Sequence, residues 1–236
     1  MKKAHALSII IPTFNEAGNI VALIDYLRKN EVGELIEIIV TDGQSTDNTV
    51  GVATSAGATV VVSPNKGRSA QMNYGASFAK AGVLYFLHAD SFPPAGYADK
   101  ISHQVKKGYG IGCFRLQFDT AHWFLKANAW FTRFNYNAFR FGDQSLFVLK
   151  DIFIKAGGFN EKLVVMEDQE IIHRLKKYGK FKVMSHAIIT SSRKYTQNGI
   201  YKMQGIFFLI YFMYQIGMPQ SKLTSLYRRL IKQDKV

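Results

Sequence analysis

Residues 7–11 (LSIII) form a continuous run of apolar, mostly β-branched side chains, and the polar stretch 12–16 (PTFNE) follows it directly. Within residues 19–30 apolar side chains recur at helical spacing, so this part of the chain predicts a strand, a loop and a helix. A strand that is apolar at every position is typical of a parallel sheet covered on both faces. The opening of the chain therefore predicts an open α/β sheet.

The same pattern continues along the first half of the sequence. Strand-like runs at 36–41, 58–62 and 83–88 alternate with helices predicted near 46–56 and 69–80. Such alternation is typical of a mainly parallel open sheet with helices on both faces, in which ligands bind beyond the carboxyl ends of the strands. Further along, the pattern predicts strands at 111–118 and 145–149, helical spacing of aromatics over 121–139, and helices at about 168–178, 199–216 and 221–232.

Composition narrows the class of protein. The chain has 236 residues and is 47% hydrophobic, which excludes an intrinsically disordered or low-complexity protein. Its single cysteine, Cys113, excludes an internal disulfide and a cysteine-based metal cluster, and indicates a reducing compartment. The net charge of +13 predicts an anionic partner: a nucleotide, a phosphate-bearing substrate, nucleic acid or an anionic lipid surface.

Targeting signals are not evident in the sequence. Residues 1–6 are a short basic lead without the apolar stretch and cleavage site of a signal peptide. The longest apolar stretch, residues 205–218, is interrupted by Gln215 and is shorter than the roughly 20 residues that a membrane-spanning helix needs. We therefore expect a cytoplasmic protein, peripheral at most to the inner face of the plasma membrane.

Polar residues follow each of the first strands, at the edge of the sheet where ligands bind. After the first strand, residues 12–16 and free helix amides can contact a nucleotide, or can simply start the next helix. After the second strand, the Asp42 carboxylate can accept hydrogen bonds from a base or a ribose, while Asp47 caps the next helix. A turn or cap function for Asp42 remains the alternative.

The third and fourth strands are followed by charged side chains. Lys66 and Arg68 flank a glycine at a helix start and suit a diphosphate, although a solvated turn has the same composition. Asp90 closes the fourth strand, where a divalent metal bridging to phosphate oxygens would offset the cost of burying its carboxylate. His88 is either a second metal ligand or a hydrogen-bonded core histidine.

A last cluster of carboxylates begins the helix predicted at 168–178. Glu167, Asp168 and Glu170 occupy three of four consecutive positions. Acidic side chains in a first helical turn stabilise the helix against its dipole. Three of them exceed that need, so one of them is a candidate catalytic base.

Taken in order, these segments resemble the family 2 glycosyltransferases, which share the GT-A fold. The resemblance covers residues 7–195 and rests on five segments in register. They are SIIIPTFNE (8–16), TDGQSTDNT (41–49), NKGRSAQMNYGA (65–76), FLHAD (86–90), and GGFNE with MEDQEIIHRLKKYGK (157–180). The resemblance implies a GT-A nucleotide-diphospho-sugar transferase fold with additional C-terminal helices.

Residue by residue, the resemblance implies a donor site. Residues lining the nucleotide pocket or contacting its base would be Pro12, Thr13, Asn15, Glu16 and Asp42. Lys66 and Arg68 would lie near the ribose and diphosphate. The later stretch from Ser192 to Tyr195, with Arg193, is loosely similar to the basic element that follows the catalytic core in this family.

The resemblance also implies the chemistry. Asp90 matches the last residue of the family's D-x-D element and would bind Mg²⁺ or Mn²⁺. In the family's E-D pair, Glu167 would bind substrate and Asp168 would be the general base. His88 stands where D-x-D has its first aspartate, a variant of small single-domain members. Thr41 and Gln44 depart from the usual Asp-Asp-Gly-Ser sequence, which leaves base selectivity open.

These interpretations predict an inverting glycosyltransferase that uses a nucleoside-diphosphate sugar, with a UDP-sugar favoured, and an acceptor hydroxyl that can be lipid-linked. The alternative is a catalytically inactive GT-A-like protein that binds a nucleotide or a membrane. The chain lacks the glycine-rich sequence that follows the first strand in sugar-nucleotide pyrophosphorylases and in Rossmann dehydrogenases, so neither class fits. Nucleic-acid binding is supported only by the positive net charge.

The last part of the sequence predicts helices that are separate from the GT-A domain. Residues 1–198 would form the GT-A domain, and residues 199–236 basic amphipathic helices. From residue 190 onward, eight Lys and Arg stand against one Asp. These helices are expected to pack on the domain through Ile206 and Ile210, or to lie on a membrane with Arg228, Arg229 and Lys232 near anionic headgroups.

Overall fold

The first half of the protein is a parallel α/β unit. The computed structural model describes residues 6–31, 35–140 and 142–231. The strands of the first half are β1 (Leu7–Thr13), β2 (Ile36–Asp42), β3 (Thr59–Val62) and β4 (Val83–Phe86), and its helices are α1 (Ile20–Lys29), α2 (Thr49–Ser55) and α3 (Arg68–Phe78). The strands pair in parallel in the order β3-β2-β1-β4. The predicted alternation of strands and helices is confirmed.

The second half extends the same sheet with mixed strand directions. Its strands are β5 (Ser91–Phe92), β6 (Ile111–Phe118), β7 (Leu146–Leu149) and β8 (Phe181–Thr190). Its helices are α4 (Tyr97–Lys106), α5 (Trp123–Phe131), α6 (Lys150–Lys155), α7 (Glu167–Leu175), α8 (Arg193–Asn198), α9 (Ile200–Gln215) and α10 (Gln220–Leu230), with 3-10 helices at Asn137–Phe139 and Gly142–Gln144. Within the described residues the full order is β3-β2-β1-β4-β7-β6-β8-β5.

One strand reversal has a consequence for the site. Strand β7 runs antiparallel to β4 and pairs Leu146 with Phe86. The residues just before β7 therefore lie beside the residues that follow β4. In a purely parallel sheet they would lie at the opposite edge.

Apolar clusters cover both faces of the sheet, as expected for strands buried on each side. Ile9 and Ile11 pack with α1 on one face, whereas Ile10 packs with α3 on the other, because successive side chains of a strand point to opposite faces. The first cluster also includes Phe114 of β6 and Ile206 of α9, so both halves of the chain share this core.

The C-terminal helices pack on the domain through one face. Met203, Ile206 and Ile210 of α9 and Leu223 of α10 are buried in the first cluster. Helix α10 ends at Leu230, and residue 232, the predicted end and a predicted lipid contact, lies outside the described residues. None of the helices in the described ranges is long and apolar enough to cross a bilayer.

Gly75 allows α3 to approach the sheet closely. A Cβ at this position would collide with Thr41 Oγ1 and would lie 2.7 Å from Ile10 Cγ2. We therefore expect Gly75→Ala to lower the free energy of unfolding by about 1 to 3 kcal/mol through overpacking. Urea denaturation measures this. Gly18→Ala, which meets open space, is the control, and equal stability of the two variants would contradict the close approach.

Candidate active site

A cavity of about 420 Å³ opens at the carboxyl ends of β1 and β4. We call it the carboxyl-end cavity. The predicted site residues that line it are Pro12, Thr13, Glu16, Lys66, Arg68, Asp90 and Arg193. Residues without a predicted place in the donor site also line it, among them Asp143, Lys194, Tyr195, Phe207 and Arg228. The strand ends singled out from sequence thus meet at one hollow, together with parts of α8, α9 and α10.

Two of the predicted nucleotide contacts instead hold the loops together. The Asn15 side-chain oxygen accepts hydrogen bonds from the Thr46 and Asp47 amides at 2.8 and 3.4 Å, and the Asn15 amide donates to Ser45 Oγ at 2.9 Å. The Asp42 carboxylate is 1% exposed and accepts bonds from the amide and hydroxyl of Ser45 at 2.8 and 2.5 Å. Neither side chain is among those that line the carboxyl-end cavity.

The side chain of Gln71 bridges the carboxyl ends of β1 and β2. Its amide nitrogen donates to the carbonyl oxygens of Thr13 at 2.7 Å and of Thr41 at 2.8 Å. A Cβ on Gly43 would lie 2.9 Å from the same nitrogen, so the loop after β2 rests directly on this amide. The ends of β1 and β2 are therefore held together by hydrogen bonds from a side chain of α3.

The start of α3 supplies a cation to the cavity. Gly67 has a φ of 111°, a conformation that side chains rarely adopt, and Arg68 is the first helical residue. Arg68 Nη1 donates to Glu167 Oε1 at 2.9 Å. Although burial opposes its charge, the carboxylates of Glu167 and Asp168 raise the pKa of Arg68 above its ordinary value.

The predicted acidic pair begins α7. Met166, with a φ of 70°, precedes the helix, and Glu167 is 3% exposed. Burial and the neighbouring Asp168 raise the pKa of Glu167 to about 7, against the opposing charge of Arg68. Burial also raises the pKa of Asp168, which the nearby charges of His88 and Arg68 partly offset. A carboxylate whose pKa is raised towards neutral pH is a better proton acceptor than an exposed one.

His88 and Asp143 form an ion pair that the sequence analysis missed. His88 Nδ1 lies 3.3 Å from Asp143 Oδ1. Burial alone would lower the pKa of His88, but the hydrogen bond to Asp143 raises it. Burial alone would raise the pKa of Asp143, but the hydrogen bond to His88 lowers it to about 2. Asp143 lies just before β7 and reaches the end of β4 because these strands are antiparallel. The sequence offered a signal for this pair, because the acidic residue of the stretch 142–144 (GDQ) stands shortly before a buried strand.

Asp90 and Asp168 share neighbours in this cluster. Burial and the charge of Asp143 raise the pKa of Asp90, which His88 partly offsets. Asp168 interacts electrostatically with the same two residues, His88 and Asp143. Although the side chain of Asp168 is not among those that line the cavity, the two carboxylates lie around one ion pair.

The Asp90 carboxylate is the best candidate ligand for a metal ion. It lines the carboxyl-end cavity, and no group of three His, Cys, Asp or Glu in the described ranges is arranged to hold a metal. Mg²⁺ is commonly bound by one or two carboxylates together with water and substrate phosphates. Asp90 therefore fits a cation that the substrate helps to hold.

Part of the cavity lining is basic. Arg193 and Lys194 begin α8 and line the cavity, and Arg228 reaches it from α10. Lys194 Nζ donates to the Tyr227 hydroxyl at 3.2 Å. Arg228, one of the residues expected at a membrane, thus lies at the cavity. Cations at a solvent-accessible wall suit a phosphate-bearing ligand.

Residues 8–160 match the family described as Glycosyl transferase family 2. The chain belongs to this family. The resemblance recognised from the motifs is thereby confirmed at the level of the family.

Curated relatives are similar over part of the chain. Uncharacterized glycosyltransferases of Mycobacterium tuberculosis and Mycobacterium bovis are each 28% identical to it over 103 residues, which are 44% of this chain and 45% of theirs. The matched region therefore spans about half the length of these relatives.

Solved structures share the fold. A mannosyltransferase from Pyrobaculum calidifontis in complex with GDP-Man and Mn²⁺ has a TM-score of 0.70 and 16% identity, covering 89% of this chain and 62% of its own. S. aureus TarS 1-349 in complex with UDP-GlcNAc has a TM-score of 0.67 and 14% identity, covering 79% and 58%. These similarities confirm the predicted GT-A-like fold, with a mixed, mostly parallel sheet and C-terminal helices.

Proposed function

We propose that the protein is an inverting glycosyltransferase that moves a sugar from a nucleoside-diphosphate sugar to an acceptor hydroxyl. One observation carries this proposal. Asp90 and Asp168 both interact electrostatically with the His88–Asp143 pair, and this pair and Asp90 line a cavity that Lys66, Arg68, Arg193 and Lys194 also line. This arrangement offers a proton acceptor and a diphosphate site in the same place.

The donor is held by its nucleotide and diphosphate. Pro12, Thr13 and Glu16 form the nucleotide side of the cavity, and Lys66, Arg68 and Arg193 supply positive charge to the diphosphate. Asp42 and Asn15 support this pocket through the loops that they join, and a contact with the base is assigned to Asp42 as part of the proposal. A UDP-sugar is the first donor to test, and a GDP-sugar the second, because similar folds are solved with UDP-GlcNAc and with GDP-Man.

The transfer is a single displacement. The acceptor oxygen forms a bond to the anomeric carbon while the bond from that carbon to the donor phosphate oxygen breaks, which inverts the anomeric centre. Asp168 takes the proton of the acceptor hydroxyl, and the electron pair of the breaking bond leaves with the nucleoside diphosphate. Glu167 keeps Arg68 in place through their 2.9 Å contact.

The departing diphosphate gains negative charge that the site must stabilise. Arg68, Arg193 and Lys194 are positioned to do so from the protein side. Asp90 would hold Mg²⁺ or Mn²⁺, which when bound supplies Lewis-acid stabilisation of the leaving group. His88 is assigned to orient this region through its contact with Asp143, and its Nδ1 is already occupied by that contact.

Two measurements test the proposal together. In a thermal-shift screen with UDP, GDP, dTDP and CDP, each with and without Mn²⁺, we expect one nucleotide at 100 times its Kd to raise the Tm by about 5 to 10 °C. The donor of that nucleotide, labelled in its sugar, should then release its nucleoside diphosphate in the presence of metal. A Tm shift without any consumption of donor would favour the binding-protein alternative and contradict the enzyme.

A further inference from the structure

An exposed aromatic stripe runs along α5. Trp123, Ala127 and Trp130 are spaced four and three residues apart and therefore share one face of the helix. The two tryptophans, the only ones in the chain, are 65% and 46% exposed. Phe131 and Phe134 are also exposed and make T-shaped contacts with Trp130, with ring centroids 5.3 and 5.1 Å away. Soluble surfaces seldom expose so many large aromatic side chains together.

A second stripe runs along α9, on the side away from the core. Tyr201, Phe208 and Phe212 share one helical face, and the two phenylalanines are 60% and 61% exposed. No charged residue occurs in the whole segment 203–221. Burial of Met203, Ile206 and Ile210 accounts for the inner face of this helix, but nothing in the fold covers its outer face within the described residues.

The two stripes lie on neighbouring helices. The Phe124 and Tyr201 rings lie 4.8 Å apart, and the Asn128 amide donates to Gln204 Oε1 at 3.3 Å, so α5 and α9 are neighbours. We call the exposed aromatic residues of these two helices and of the turn after α5 the aromatic surface. It comprises Trp123, Trp130, Phe131, Phe134, Tyr201, Phe208 and Phe212.

The segments that carry the aromatic surface bear charge of one sign. Segments 120–140 and 199–231 contain Lys and Arg but no Asp or Glu. Beside α5 a groove of about 390 Å³ is lined by Arg115, Lys126 and Arg133, without an acidic side chain among its lining residues. Arg115 Nε is buried there and has no hydrogen-bond partner in the part of the chain that the structure describes. The groove is therefore suited to an anion, such as a phosphate group.

We propose that the aromatic surface inserts into the headgroup region of an anionic lipid bilayer, with the basic groove beside α5 binding lipid phosphates. Tryptophan, tyrosine and phenylalanine flanked by lysine and arginine are typical of helices that lie in a membrane interface. Pairing of two copies through the same surface is disfavoured, because it would bring Lys126, Arg133 and Lys202 of each copy near one another. The proposal does not depend on the chemistry of the carboxyl-end cavity.

The two tryptophans provide a direct readout with the unmodified full-length chain. On addition of vesicles of phosphatidylcholine with 30 mol% phosphatidylglycerol, we expect a blue shift of the emission and quenching when part of the phosphatidylcholine is brominated. Vesicles of phosphatidylcholine alone should bind much more weakly, and binding to the anionic vesicles should weaken as salt is raised. Absence of a shift and of quenching with anionic vesicles would overturn the proposal.

Matched variants separate the two contributions. Lys126→Gln/Arg133→Gln should weaken binding to anionic vesicles roughly 20-fold, whereas Lys106→Gln/Lys107→Gln on exposed positions of α4 and the residue after it should not. Phe208→Ser/Phe212→Ser should weaken binding at least about tenfold, whereas Ile154→Ser, 65% exposed on α6, should not. Equal losses in the variants and their controls would overturn the proposal, as would a concentration-dependent dimer in light scattering that Phe208→Ser/Phe212→Ser dissociates.

Discussion

Asp168→Asn is expected to lower kcat about 10²- to 10⁴-fold, the usual contribution of a positioned general base. The amide has nearly the shape of the carboxylate but cannot accept the proton of the acceptor hydroxyl. Because Asp168 is not assigned to donor binding, KM for the donor should change little. Initial rates of nucleoside diphosphate release at saturating donor and acceptor measure the effect.

The matched control for this change is Asp151→Asn. Asp151 is also an aspartate in the first turn of a helix, α6, but its side chain is 65% exposed and pairs with Lys155 at the surface. It should retain the activity of the unmodified protein. Activity in Asp168→Asn equal to that of this control would remove Asp168 from the mechanism.

The pH dependence of the unmodified enzyme should show the same group. The general base must be deprotonated to act, so kcat/KM should fall as the pH drops. Because burial raises the pKa of Asp168, this fall should begin above the ordinary titration range of an aspartate. The acidic limb of this pH profile reports the titration of the two interacting carboxylates, Glu167 and Asp168, together. A rate that stays constant down to the ordinary aspartate range would contradict the raised pKa.

Asp90→Asn is expected to lower kcat/KM about 10²- to 10³-fold, since stabilisation of a leaving group by a metal ion contributes several kcal/mol. The fold itself disfavours the charge at this position, because burial and Asp143 raise the pKa of Asp90. Loss of that charge should therefore leave the Tm unchanged or raise it. Loss of activity with an undiminished Tm would distinguish a functional carboxylate from a structural one.

Asp99→Asn, on the exposed side of α4, is the control for Asp90. It should change neither kcat/KM nor Tm appreciably. If Asp90→Asn instead keeps full activity, or loses activity only because its Tm falls well below that of the control, the assignment of Asp90 as a metal ligand is wrong.

The first half of the fold could be predicted from the sequence because its signals are local. Each strand of the parallel unit is a short apolar run, and each helix has apolar side chains at helical spacing. The predicted helix at 46–56 begins later, at Thr49, because Asp42 and Asn15 hold residues 45–47 in a turn. A boundary that depends on hydrogen bonds between distant loops has no local signal.

The second half was harder because its pairing is non-local. Strand β8 was not predicted, because its residues alternate irregularly between buried and exposed and it pairs with β6 across a register shift between Cys113 and Arg115. Helices α4, α6 and α8 were also missed. The antiparallel direction of β7 was not predicted, and with it the position of Asp143 at the cavity.

Most of the candidate site residues meet at one place for a simple reason. The polar residues that follow parallel strands lie at the same edge of the sheet, whatever their separation along the chain. What spacing could not reveal is which side chains face the cavity and which hold the loops. Asp42 and Asn15 have the residue types of ligand contacts, yet hydrogen-bond to Ser45 and Thr46, respectively.

Asp90 is proposed to hold the metal ion and Asp168 to accept the proton. Calorimetric measurement of nucleoside diphosphate binding tests these two roles most directly. With Mn²⁺ present, Asp168→Asn should bind the nucleotide as tightly as the unmodified protein, whereas Asp90→Asn should bind at least about tenfold more weakly and should lose the effect of the metal. Equal affinities for all three proteins, or an equal loss in both variants, would contradict the account.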